Sequence, residues 1–157
     1  MLWVEGDPER HELLRGIGPE PLGAGFSGAY LHATACGRRT AVKLFIMDAG
    51  VVAGVGNIYA NEALFRAGIH PLRPAGRVSA ARYGDLAAAI RAVLKEAIAQ
   101  GGTTLRDYYH GTGEPGYFRI RLAVYGREDE PCVRCGEPVR CVRQGQRATY
   151  YCARCQH

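Results

Sequence analysis

The sequence predicts a mainly α-helical domain followed by a small four-cysteine zinc β-hairpin finger, and three observations carry that expectation. Apolar residues recur at helical spacing between glycine and proline stops from residue 27 to about residue 100. Cys132-x-x-Cys135 and Cys152-x-x-Cys155 form two knuckles sixteen residues apart, the spacing that four thiolates need to close a tetrahedron around one zinc ion. Between the knuckles, residues 138–143 and 147–151 can pair around Gln144-Gly145-Gln146 as a hairpin.

In chain order, Leu2-Trp3-Val4 reads as the end of a strand and Glu5-Gly6-Asp7-Pro8 as a turn, with nothing ahead of them to pair with. Residues 1–22 are therefore expected to be the remnant end of another domain and a linker, the latter marked by Pro19, Pro21 and the glycines at 23, 25 and 28. Ser27 can cap a helix running to about Cys36, with Gly37 as its stop, and Thr40 can cap the next. Arg38 and Arg39 fall in the joint. Gly50, Gly54 and Gly56 then break the helical pattern, and Asn57 opens a helix that Gly68 and Pro71 stop, itself in the place of an N-cap. A long helix over residues 79–100 carries Leu86, Ile90, Leu94 and Ile98 as an apolar stripe. Packing of that stripe against Leu31, Leu44, Ile46 and Leu64, with Cys36 as a small core residue, makes a credible helical core. Residues 103–117 form a long polar loop, either functional or a plain connector, and residues 118–125 alternate as a strand.

Charge narrows the partner. The chain carries a net charge of +5 with a pI near 9.0, and residues 119–157 hold eight of the 20 basic residues against four of the 15 acids. A polyanion is the expected partner. No apolar run approaches the ~20 residues of a membrane span, and the first residues lack the basic flank and apolar core of a signal peptide, so a reducing cytosol is expected.

The glycine-broken turn before Asn57 has three readings. A dinucleotide fingerprint would need a third glycine where Tyr59 stands and a strand in front, not a helix. A hairpin of helices with glycines for packing alone remains open. So does a phosphate clamp, in which Lys43 and the helix start at Asn57 converge on one backbone phosphate. Arg147, just past the hairpin tip, either contacts phosphate or groove, or is a solvated surface arginine. Four thiolates leave no open coordination position, so the zinc is expected to be structural. Disulfides fit a cytosolic chain poorly, and a redox role has no use for the duplication. Cys141 is left without a knuckle partner.

Several runs, in order and over nearly the whole chain, carry a resemblance. They are Gly18-Pro19-Glu20-Pro21-Leu22, Lys43-Leu44-Phe45-Ile46-Met47-Asp48, Val55-Gly56-Asn57-Ile58-Tyr59-Ala60-Asn61-Glu62, Gly68-Ile69-His70-Pro71, Gly101-Gly102-Thr103-Thr104, Gly113-Glu114-Pro115-Gly116-Tyr117-Phe118, Val124-Tyr125-Gly126-Arg127 and the closing QRATYYCARCQ. Together they resemble bacterial formamidopyrimidine-DNA glycosylase, and the endonuclease VIII branch would be expected to differ around Asn57 and at residues 113–118. The resemblance implies a helix-two-turn-helix DNA-binding domain over residues 23–118, a base-capping loop at 103–118 and a zinc finger at 119–157. It also implies that residues 1–22 end a missing β-sandwich domain.

By the same resemblance, Arg38, Lys43, Asn57 and Arg147 are DNA-binding positions, and Arg147 is the proton donor in δ-elimination. Cys132, Cys135, Cys152 and Cys155 hold one structural zinc ion. The implied activity is base-excision repair of oxidised purines such as 8-oxoguanine and formamidopyrimidines, by a glycosylase and AP lyase that flips the base out of duplex DNA. The implied partner is double-stranded DNA containing oxidised bases, bound by a monomer at the bacterial nucleoid, with no membrane. Met1 and Leu2 do not match the family's N-terminal proline nucleophile and the glutamate beside it, and the only lysines are Lys43 and Lys95. The chain alone is therefore expected to bind rather than excise. The alternatives are a stand-alone non-catalytic zinc-containing nucleic-acid-binding module and a zinc-stapled protein-interaction domain.

Overall fold

The computed structural model describes residues 17–99 and 122–157. The strand and turn expected before residue 17, the loop at 103–118 and the first part of the strand at 118–125 lie outside the described residues.

Helix α1, Gly28–Ala35, is capped as expected: the Ser27 hydroxyl accepts from the Tyr30 N–H, and Gly37 beyond the end takes a φ of +77°. Helix α2 is shorter than anticipated, Val42–Met47, and its N-cap is Ala41 without a side-chain bond. Thr40 does not cap it, because the Thr40 carbonyl is occupied in accepting from the Ala75 N–H at 2.7 Å. Helix α3, Asn57–Ala67, ends at Gly68 in the left-handed region with φ 73°. Asn57 is its first helical residue rather than its cap, a position held by Gly56 in extended conformation. A 3-10 turn, Ala75–Arg77, leads into α4, Ala80–Ala99, whose first turn is capped by the Ser79 hydroxyl accepting from the Arg82 N–H at 3.2 Å.

Helix α4 packs along both α1 and α3 over a core that includes Leu31, Phe45, Ile46, Leu64, Tyr83, Leu86, Ile90 and Val93. Three expected core positions lie elsewhere. Ile98 is 64% exposed, because steps of four residues drift around a 3.6-residue helix, and the buried face passes instead through Val93 and Ala97. Leu44 leaves the core to touch the hairpin tip, where a β-carbon on Gly145 would lie 3.3 Å from it. Cys36 is exposed at the α1 terminus.

The proline- and glycine-rich stretch after residue 17 is docked on the helices instead of acting as a free linker. Gly18 N–H donates to the Ala49 carbonyl at 2.7 Å, Ala53 N–H to Pro19 at 3.0 Å, and Arg91 on α4 to the carbonyls of Pro21 and Phe26. Gly18 is required there, since a β-carbon would sit 2.2 Å from the Val51 carbonyl oxygen.

Strands β1, Arg140–Gln144, and β2, Arg147–Tyr151, pair antiparallel with Gln144 opposite Arg147. The tip is therefore two residues, Gly145 and Gln146, both at positive φ, which matches the tight turns that suit strand twist. Residues 122–125 are not a strand. The N–H groups of Ala123, Val124 and Tyr125 donate at 2.7, 3.0 and 2.9 Å to the carboxylate of Glu62 on α3, so one buried side chain takes the place of a neighbouring strand.

Candidate nucleic-acid interface and metal centre

Helix α3 holds the site together. Its last turn carries Phe65, which packs with Val124, Cys132, Val139 and Cys152 into a second, smaller core. Arg134 of the first knuckle lies 4.5 Å over the Phe65 ring and donates to the carbonyls of Phe65 and Arg66 at 3.2 and 3.3 Å. Carbonyls of the last helical turn thus take donors from the finger. In the middle turn, Glu62, 1% exposed, bonds residues 123–125. Asn61 beside it accepts from the Tyr150 N–H at 2.7 Å and donates to the Asn57 carbonyl at 2.8 Å. Neither Asn61 nor Glu62 was assigned a role from the sequence, and the signal was present: two polar residues among the apolar ones of the helix's middle turn.

The four knuckle sulfurs lie within 4.8 Å of one another, with Cys132 to Cys155 at 3.8 Å and Cys135 to Cys152 at 3.5 Å. Thiolates about 2.3 Å from a zinc ion at tetrahedral angles stand about 3.8 Å apart, so the donor set fits that ion. Backbone N–H groups of Arg134 and Cys155 point at the sulfurs of Cys132 and Cys152 at 3.3 and 3.4 Å. Burial pushes the Cys132 thiol up, but the N–H groups of Arg134 and Cys135 and the neighbouring Cys152 and Cys135 thiols together hold it down at about 7. Zinc bound by these four residues would cross-link the two knuckles and so fix the hairpin's base.

At the other end of the hairpin the expected clamp residues meet, although on an unexpected partner. Lys43 is fully buried, and its Nζ donates to the Thr149 hydroxyl at 2.7 Å and the Ala148 carbonyl at 3.3 Å. Asn57 Nδ2 reaches the same carbonyl at 3.1 Å and Asn61 Nδ2 at 3.5 Å. Three donors therefore converge on one oxygen, in the residue next to Arg147. Thr149 in turn donates to Gln144 Oε1 at 2.9 Å, and Gln144 Nε2 to the Pro71 carbonyl at 3.4 Å. Burial and the nearby Arg147 lower Lys43 to about 8, against a small opposing pull from Cys141. Asn57 Oδ1 is buried without a partner among the described residues.

Around this cluster the backbone is open. A β-carbon on Gly56 would meet nothing within 4 Å, and no side chain caps the α3 terminus. Of the turn glycines expected to need positive φ or close approach, Gly54 meets the first condition with φ +78°, and Gly54 and Gly56 both face open space. Arg147 is exposed, and its guanidinium has no hydrogen-bond partner among the described residues. Arg38 stands apart from the cluster, its guanidinium 5.5 Å over the Phe45 ring.

Family models match both parts. Residues 17–109 match the formamidopyrimidine-DNA glycosylase H2TH domain, and residues 129–157 match the zinc finger found in FPG and IleRS. A formamidopyrimidine-DNA glycosylase of Methylococcus capsulatus is 65% identical over 99% of this chain and 58% of its own length. The crystal structure of the MutM (Fpg) protein from Thermus thermophilus superposes with a TM-score of 0.82 at 41% identity, over 96% of this chain and 57% of that one. A complex of the Lactococcus lactis Fpg with DNA containing an abasic site gives a TM-score of 0.82 at 30% identity, over 96% and 55%. The chain thus spans somewhat over half the length of the relatives it matches.

Proposed function

Since the chain belongs to the formamidopyrimidine-DNA glycosylase family, we propose that it grips duplex DNA for base-excision repair of oxidised purines, formamidopyrimidines and 8-oxoguanine among them. One observation carries this reading: Lys43, Asn57 and Asn61 all aim at the Ala148 carbonyl. That oxygen occupies, in the DNA-free chain, the place a phosphate oxygen takes when the duplex arrives. Donors already assembled around an oxygen cost little to reorganise when a better acceptor replaces it.

In the gripping step, Asn57 and the backbone at the start of α3 receive the phosphate, with the helix macrodipole in support. Lys43 turns from the hairpin to the anion and is fully protonated there. Arg147, exposed beside Ala148 and aimed by the hairpin, enters the groove next to the clamped phosphate. From there its guanidinium supplies the proton that an eliminated phosphate leaving group takes. Zinc contributes rigidity to that placement, since its four sites are filled by sulfur. Phosphate contacts of this kind fix register without reading sequence, which suits a monomer that must search a bacterial chromosome for damage.

Fluorescence anisotropy with a duplex carrying an abasic-site analogue tests the reading. Asn57→Ala is expected to weaken binding to any duplex sequence while leaving the salt slope in place, because the amide is uncharged, whereas Lys43→Gln is expected to reduce the salt slope by about one. Unchanged affinity in the first variant and an unchanged salt slope in the second would refute the clamp.

A further inference from the structure

Within the hairpin tip, residues 143–147, Gln144 is the one residue the structure buries, at 7% exposed, while Arg143, Gly145, Gln146 and Arg147 around it are open to solvent. An amide in such a place must spend its polar atoms inside the protein. Its Oε1 accepts from the Thr149 hydroxyl at 2.9 Å, and its Nε2 donates to the Pro71 carbonyl at 3.4 Å. Thr149 in turn accepts from Lys43 Nζ at 2.7 Å, and the Pro71 carbonyl accepts from the Lys43 backbone N–H at 3.2 Å. The bonds therefore run in a closed ring, out along the Lys43 side chain and back to its own main chain. Gln144 is the link in that ring between the hairpin and the segment after α3.

Stability alone does not call for this amide. Without it the Pro71 carbonyl keeps the Lys43 N–H and the Thr149 hydroxyl keeps Lys43 Nζ, so both partners retain a bond and an apolar side chain of the same length would fill the space. What the amide adds is direction at the tip. Gln144 stands directly opposite Arg147 in the register, and residues that face each other across a strand pair leave the same side of the sheet. Once Lys43 and Asn57 turn from the Ala148 carbonyl to a phosphate, the nearest short bond from the helices to β2 is that of Asn61 to the Tyr150 N–H at 2.7 Å. It lies three residues from Arg147, about 10 Å along an extended strand, and a two-stranded hairpin is only marginally stable by itself. Leu44 touches the tip at Gly145, but an apolar contact carries no direction.

We propose that Gln144 is a positioning residue for Arg147: by bridging the Thr149 hydroxyl and the Pro71 carbonyl it holds the end of the hairpin while the clamp donors change partners, so that the guanidinium stays aimed at the duplex. The inference rests on the reading of Arg147 given above. The bond from Gln144 to Pro71 uses none of the donors that the phosphate recruits, so it survives the exchange. Zinc at the knuckles would hold the base of the hairpin and Gln144 its tip, and the direction of Arg147 depends on both.

The test uses the zinc-loaded chain and a duplex carrying an abasic-site analogue, with affinity followed across salt concentration for Gln144→Met, Arg147→Ala and the two combined. Arg147→Ala is expected to lose roughly tenfold in affinity, with a salt slope smaller by about one. Gln144→Met removes no charge, yet it is expected to lower the salt slope by a similar amount and the affinity several-fold, because the cation swings off the duplex. The combined variant is expected to bind no worse than Arg147→Ala alone, the mark of one residue acting through another. Gln144→Asn keeps the amide but shortens its reach; it is expected to shift both quantities in the same direction, and it carries the same comparison if Gln144→Met loses its zinc. Affinity and salt slope equal to those of the unmodified chain overturn the proposal and leave the reading of Arg147 standing. A loss that simply adds to that of Arg147→Ala, or that leaves the salt slope in place, also overturns it, since the amide then serves only the fold. Arg147→Ala without effect on affinity or slope takes Arg147 off the duplex and removes both.

Discussion

Lys43 shows how a residue can be found by pattern and still be misjudged in its surroundings. The sequence pointed to a cation converging with Asn57 on a backbone phosphate. Instead the hairpin covers it, and its proton is held only to about pH 8. The sign of the consequence is fixed. A lysine whose folded pKa lies below its ordinary value of 10.5 binds fewer protons folded than unfolded between the two values, so this group adds stability as pH rises from about 8 and withholds it below. DNA reverses the preference, because a phosphate favours the ammonium. Duplex affinity is therefore expected to fall as pH rises through about 8, and the fall is expected to be absent in Lys43→Gln. A pH titration of the dissociation constant checks it; identical pH profiles for the two proteins would contradict the buried-lysine account. His70, lowered by burial and then by Arg73, is neutral over that range and does not confuse the reading.

Among the elements, the helices and the hairpin were legible because periodicity, caps and cysteine spacing are local properties of a chain. Ser27, Gly37 and Gly68 act where their chemistry placed them, and Ser79 supplies a cap that had not been assigned to it. The misplacements have a common cause in tertiary partners. Thr40 lost its capping role to the segment around Ala75, and residues 122–125 took the Glu62 carboxylate in place of a strand. Nothing within those stretches announces a partner so far along the chain. The contact of α1 with α4 was equally invisible: a β-carbon on Gly28 would lie 2.5 Å from the Gly84 α-carbon. That is backbone against backbone, and neither helix can yield without moving its length. Gly28→Ala is accordingly expected to destabilise the chain by about 1–3 kcal/mol, read as a lowered denaturation midpoint with an unchanged slope. A midpoint equal to that of the unmodified chain would show that the helices separate freely there.

For the whole molecule, two cores meet on α3, one helical and one built around Phe65 and the knuckles. The helix starts at the proposed phosphate site, fastens the hairpin and residues 123–125 in its middle and ends under Arg134, so it ties the clamp residues to the finger. The cysteine set and the two-part architecture could be read from the sequence, because ligand spacing encodes them. Convergence of three donors on the Ala148 carbonyl could not, since it joins α2, α3 and β2 from distant parts of the chain. The central claim is that the helix start and the metal-held hairpin address the same stretch of duplex, and chelation separates them. Titration of a duplex at low ionic strength, with the chain zinc-loaded and then stripped by a chelator, is the direct measurement. The account predicts binding of the loaded form, weakened by salt, and a loss of about tenfold or more once the metal is removed and Arg147 is no longer aimed. Equal affinity of the two forms, or no binding by the loaded one, would contradict it.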